Sequence, residues 1–226
     1  LLGQRLVPHR ADVEHQEGAA REVGEQRHEV ALHRRDVHVL RAHLRVEAPR
    51  LREEQVPQQK LPLERWAVVG ALEDSRRIMP QLAAAGVPAE RYPTLSALTK
   101  AVATGAPKPR QVVRVMSAEQ TGAPAAAAQQ AAAELLTELQ LLLQEDSLAD
   151  SRFVLLTQGA LALQPEEVPG GFWQAGLWGL LRSARAEYPT RRWMLLDVDA
   201  APASKAALLP ALAAQDEAEA ALRGGI

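Results

Sequence analysis

The chain has 226 residues, with 26 Lys and Arg against 28 Asp and Glu, a formal net charge of -2, and no cysteine. That balance gives no electrostatic case for nucleic acid or an anionic membrane, and the lack of thiols excludes disulfides, cysteine-ligated metals and cysteine nucleophiles. No apolar run approaches the roughly 18 residues that span a bilayer, and the Leu-rich patch from Leu135 to Leu143 is broken by Thr137, Glu138 and Gln140, so a cytoplasmic protein without a targeting signal is expected.

Residues 1–60 differ in composition from residues 61–226. All six histidines lie between His9 and His43, and residues 1–59 use ten amino acids only: Ala, Asp, Glu, Gly, His, Leu, Pro, Gln, Arg and Val. Those are the ten whose codons can begin with G or C. Such a bias is expected when GC-rich DNA is translated in a wrong frame, here from the strand opposite a gene. The alternative is a genuine Arg/Glu/His-rich extension, disordered or helical, with too little apolar content to build a core. His28, His33, His38 and His43 recur every five residues. On a helix this turns each by about 140° and scatters them around the axis, whereas helical metal ligands sit at i, i+3 or i+4.

From Leu63 short apolar runs alternate with helical stretches, the pattern of a sheet with crossover helices. Trp66 to Gly70 reads as a buried strand, followed by a helix capped by Asp74 and Ser75, running through Ile78, Leu82 and Ala85, and stopped by Gly86. A short strand is expected near Arg91 and Tyr92, then a helix capped by Thr94 that runs through Leu95, Leu98 and Val102. Gln111 to Met116 is the next strand. Pro124 to Gln144 reads as a long helix with Leu135, Leu136, Leu139, Leu142 and Leu143 on one broad apolar face. Arg152 to Thr157 is a strand followed by a loop at 165–171. A Trp-bearing helix then runs from Phe172 to Glu187 and is stopped by Tyr188 and Pro189. Arg192 to Val198 is a strand, Ser204 to Ala214 a helix, and Ala220 to Arg223 a last strand. Near-continuous apolar strands imply a sheet covered on both faces, an α/β, truncated Rossmann-like fold.

The residues that could carry chemistry do not assemble into a site. A dinucleotide turn clusters glycines so that backbone amides approach the pyrophosphate, but the turn after the first strand, GALEDS, has Gly70 alone, followed by Glu73 and Asp74. A short-chain dehydrogenase needs a tyrosine activated by a nearby Lys or Asn; four positions after Tyr188 stands Arg192, and four after Tyr92 stands Ser96. A Ser/His/Asp triad would have to take its histidine from residues 1–60. The carboxylates Glu166 and Glu167, and Asp197 and Asp199, are expected on loops or strand ends in contact with solvent. Trp173 and Trp178 have the period of a helix face packed on a sheet, and Arg182 and Glu187 are expected to pair with each other or with neighbouring carboxylates. No catalytic, cofactor-binding or metal-binding residue is therefore assigned.

Three segments resemble the structural subdomain of a ketoreductase domain from a bacterial modular type I polyketide synthase: LADSRFVLLTQGALAL (148–163), LWGLLRSARAEYP (177–189) with RRWMLLDVD (191–199), and ALRGGI (221–226). The family usually has Arg where this chain has Gln158. The resemblance implies a noncatalytic, Rossmann-like subdomain that binds no cofactor and packs against a catalytic subdomain and neighbouring synthase domains. In that family the catalytic part follows the ALR segment and carries the NADPH loop and the catalytic Ser, Tyr, Lys and Asn, none of which is carried over here. The parent reaction would be NADPH-dependent reduction of a β-ketoacyl group on an acyl carrier protein. The other readings are a free-standing interaction module using the Leu-rich or Trp helix, and a degenerate short-chain dehydrogenase.

Overall fold

The computed structural model describes residues 64–226 apart from 118, 120, 121, 165, 215 and 216. The expected extension over 1–60 and its histidines lie outside the described residues. Six parallel strands, β1 (Trp66–Val69), β2 (Ala89–Tyr92), β3 (Gln111–Val115), β4 (Arg152–Gln158), β5 (Trp193–Val198) and β6 (Glu219–Leu222), form one sheet in the order β2-β1-β3-β4-β5-β6. Their connections carry helices α1 (Leu72–Ser75), α2 (Met79–Ala84), α3 (Leu95–Ala103), α4 (Pro124–Gln144), α5 (Ala175–Glu187) and α6 (Pro202–Ala213).

Strand periodicity divides the core in two. Ala67, Val69, Val112, Phe153, Leu155, Trp193 and Leu195 point to one face, where α3, α4 and α5 cover them with Leu98, Leu135, Leu139, Leu177, Trp178 and Leu181. Val68, Val113, Val115, Val154, Leu156, Met194 and Leu196 point to the other, under Ile78, Leu82, Leu208 and Leu212. Both faces are thus spent on the chain's own helices, as near-continuous apolar strands require. Phe153 and Trp193 meet edge to face on the first, with ring centroids 5.9 Å apart.

Several local expectations need correction. Asp74 and Ser75 do not cap a single helix; they lie inside the one-turn α1, where the Ser75 hydroxyl lies within hydrogen-bonding distance of the Ala71 and Leu72 carbonyl oxygens. A separate helix α2 begins at Met79, because Pro80 lacks an N–H and suits a first turn but not an interior. Pro202 likewise starts α6 two residues before Ser204. On α4, Leu135, Leu139 and Leu142 are buried while Leu136 is exposed, so the apolar stripe is narrower than five leucines suggest. The last strand lies one residue earlier, at Glu219–Leu222. Thr94 does cap α3, its hydroxyl oxygen accepting from the Ala97 N–H at 3.1 Å.

The amino edge of the sheet is closed by polar contacts to a helix end. The buried Arg152 donates to the carbonyls of Leu212 at 3.2 Å and Glu217 at 2.7 Å, and Gln111 also reaches Leu212. Leu212 lies in the last turn of α6, where the carbonyls carry partial negative charge.

Gly176 and Gly179 sit on the exposed side of α5, and a Cβ at either would meet nothing within 4 Å. A helical glycine costs about 1 kcal/mol relative to alanine, and no side-chain contact among the described residues offsets it. Gly179→Ala should raise the free energy of unfolding by about 1 kcal/mol. Urea denaturation checks this; an unchanged or lower midpoint counts against the open environment of Gly179.

Candidate functional site

In open α/β sheets a ligand crevice lies outside the carboxyl ends of the strands, at the point where strand order reverses. Here the reversal falls between β1 and β3, and the chain's own groups occupy that end of the sheet. Gly70 follows β1 so closely against β3 that a Cβ there would stand 3.0 Å from the Val115 carbonyl oxygen. The glycine is used for strand packing. Arg114, near the end of β3, pairs with Glu138 of α4 at 2.6 Å and donates to the Val115 carbonyl at 2.8 Å. Further along, the fully buried Gln174 bridges two strand ends, accepting from the Gln158 N–H and donating to the Ser117 carbonyl at 2.7 Å.

The densest cluster of polar groups lies beyond β4, β5 and β6. Asp197 was expected to be solvated, but it is 0% exposed. Its Oδ1 accepts from the Thr157 hydroxyl at 2.6 Å and the Ala160 N–H at 2.9 Å; its Oδ2 accepts from the Leu161 N–H at 3.2 Å and Arg223 Nη2 at 2.7 Å. Thr157 has spent its proton on Asp197, so its oxygen is free to accept from Trp178 Nε1, 3.0 Å away. A chain of donors thus runs from the helix α5 indole through a hydroxyl to a buried carboxylate.

Arg223 supplies the countercharge. Its Nε lies 2.8 Å from Glu167, and it also donates to the carbonyls of Leu161 and Leu222. Glu167, like Asp197, is therefore paired rather than solvated, contrary to expectation. Its other carboxylate oxygen accepts from the Leu163 N–H at 2.7 Å. That bond, assisted by Arg223, holds the Glu167 carboxyl below its ordinary value. Asp199 accepts from the Ala201 and Gly224 N–H groups, while the Ser204 hydroxyl accepts from the Gly225 N–H. Burial pushes the Asp199 carboxyl up, but hydrogen bonds from Ser204, Gly224 and Ala201 outweigh it and leave it lowered. The backbone closes this end tightly: a methyl on Gly171 would overlap the Gln158 carbonyl oxygen.

Of the other candidates, Trp173 and Trp178 are both buried in the first-face core, Trp173 with no partner for its Nε1 among the described residues. Arg182 lies 5.5 Å over the Trp178 ring and pairs with Glu219 of β6 at 2.6 Å, and Arg185 joins the same carboxylate at 2.9 Å. Arg182 thus takes a neighbouring carboxylate, while Glu187 is exposed. The Tyr92 hydroxyl donates to Glu90 at 2.8 Å, and burial, reinforced by that carboxylate, pushes its phenol up to about 12. A catalytic phenol needs the opposite shift. Among the described residues, no group of three or more His, Asp or Glu could hold a metal ion, and no helix is long and apolar enough to cross a membrane.

Comparison with known proteins gives a consistent picture. The Rossmann-fold domain of the polyketide synthase extender module SpnB matches residues 51–226, beginning before the compositional boundary at residue 60. Polyketide synthase GfsE of Streptomyces halstedii is 35% identical over 160 residues, which cover 71% of this chain and 4% of that protein. The spectinabilin polyketide synthase system protein NorA of Streptomyces orinoci is 41% identical over 135 residues, 59% of this chain and 7% of that protein. The chain therefore spans a small fraction of these relatives' length. Among solved structures, a C2-type ketoreductase from a modular polyketide synthase aligns with a TM-score of 0.58 and 23% identity, over 70% of this chain and 38% of that chain. A-type ketoreductases from a modular polyketide synthase align with a TM-score of 0.52 and 24% identity, over 77% and 38%. These two likenesses establish a shared fold.

The Asp197 network carries two expected outcomes. Asp197→Ala leaves Arg223 without its buried partner and should destabilise the chain by about 3 kcal/mol, read by urea denaturation; a loss under about 1 kcal/mol contradicts the network. Acid should act in the same direction. Burial pushes Glu219 up, but its bonds and charge pairing with Arg182 and Arg185 outweigh this, so its folded-state value lies below the ordinary 4.5. Glu167 and Asp199 are lowered likewise. Their contribution is complete above the unfolded-state values and is lost as pH falls through the folded ones. Denaturation midpoints should thus fall steadily below about pH 4.5, and a midpoint insensitive to acid would argue against these pairings.

Proposed function

The chain belongs to the family of Rossmann-fold domains of polyketide synthase extender modules typified by SpnB, and from that premise we propose that residues 61–226 are a noncatalytic structural subdomain supporting a ketoreductase catalytic subdomain. The observation that carries the reading is the occupation of the sheet's carboxyl end by the chain's own groups. Gly70 is packed on Val115, the Arg114–Glu138 pair stands at the end of β3, and Gln174 bridges β3 and β4. A dinucleotide needs free backbone amides and a positive field at that end. The turn instead offers one glycine, with Glu73 and Asp74 close behind. These residues do not fit NADPH, and no reaction step is assigned to them.

On this reading the parent assembly is a cytoplasmic synthase whose ketoreductase uses NADPH to reduce a β-ketoacyl group on an acyl carrier protein. The cofactor and the proton donor belong to the catalytic subdomain; this chain contributes a rigid sheet whose buried charges are already paired. Two features favour this role over a degenerate dehydrogenase: the pairing of Arg223 with both Asp197 and Glu167, and the Tyr92 hydroxyl bonded to Glu90, whose phenol is raised.

Titration of the chain with NADPH, followed by nicotinamide fluorescence and calorimetry, should show no saturable binding up to about 1 mM. Saturable binding in the micromolar range would overturn the noncatalytic assignment.

A further inference from the structure

We propose that Arg223 is a latch that ties the loop between β4 and α5 to the turn after β6, so that the two segments order and loosen as one unit. Arg223 stands on the turn, immediately after Leu222, yet three of its bonds reach elsewhere: Asp197 on β5, and the Leu161 carbonyl and Glu167 on the loop. The loop is anchored to the sheet through the same place, since the Ala160 and Leu161 N–H groups both bond Asp197. The turn in turn is seated on the start of α6 by the Gly224 and Gly225 N–H groups, which bond Asp199 and Ser204, and closed on itself by reciprocal bonds between Arg223 and Ile226.

One guanidinium therefore satisfies groups on two segments about 60 residues apart in sequence; Ala160 and Leu161 pack on the first-face core at the start of the loop, but the stretch around Glu167 has little apolar cover. Val168 is 88% exposed, and Leu163 and Phe172 are exposed as well. Withdrawing Arg223 would leave Asp197 fully buried without its cation, a state that is relieved when the loop lifts and admits water. A segment held by few apolar contacts and one shared charge opens locally, ahead of global unfolding. The exposed side chains of Leu163, Val168 and Phe172 are thus displayed by a loop whose order depends on a residue beyond the last strand.

Amide hydrogen exchange of the full chain tests the latch. In Arg223→Met, the amides of Leu161 and Leu163 and those of Gly224 and Gly225 should all exchange faster, by about tenfold or more, while Val68 and Val113 keep their protection. If that variant loses protection throughout, Glu167→Ala decides, because it removes only the outer arm of the latch and leaves the Asp197 pair in place. It too should speed exchange at Gly224 and Gly225, which Glu167 does not touch. Loosening confined to the loop, with the turn amides at their wild-type rates, or no change in either segment, would overturn the proposal.

Discussion

The carboxylate of Asp197 sits at 0% exposure beside the ends of three parallel strands, a position where an unpaired charge would cost several kcal/mol. Much of this end of the sheet follows from satisfying it. Thr157 must point its hydroxyl at Asp197, which aims its oxygen at Trp178; the chain after β4 must turn so that the Ala160 and Leu161 amides face the same carboxylate; and Arg223 must fold back across β5. The tight turn this demands is visible at Gly171, where the backbone meets Gln158 so closely that no side chain fits. Four donors from the chain, the Thr157 hydroxyl, the Ala160 and Leu161 amides and Arg223, commit the carboxylate to structural bonds.

The same helix that caps this network also locks the far edge. Trp178 joins α5 to β4, while Arg182 and Arg185 join it to Glu219 on β6, with Arg182 lying over the Trp178 ring. Arg191, between α5 and β5, reaches back to the Leu142 and Leu143 carbonyls at the end of α4. Helix α5 is thus bound on three sides. Its glycines at 176 and 179 remain the exception, costing stability without a contact among the described residues to offset it.

The fold was legible wherever local chemistry decided it. Val and Leu runs marked the strands, Thr94 marked a helix start, and the alanine-rich run from Pro124 to Gln144 gave a helix with those bounds. Errors arose where proline position mattered, at Pro80 and Pro202, since proline both breaks a helix and begins one. The Asp197 network was missed because its partners lie 26 and 40 residues away in sequence, and a carboxylate near a strand end is ordinarily wet. One signal was present: in WMLLDV all positions except Asp197 are apolar, and a polar residue inside a strand buried on both faces must find internal partners. The pairing of Arg182 with Glu219 had no comparable signal, because which strand lies beside α5 is a matter of topology.

We propose that this chain supports reduction without performing it. A chimera in which residues 61–226 replace the corresponding segment of a related ketoreductase, assayed with a β-ketoacyl thioester and NADPH beside the chain alone, addresses it most directly. Reduction by the chimera within about tenfold of the parent enzyme, and none by the chain alone, is the expected result. Reduction by the chain alone, or a folded chimera without activity, would contradict it.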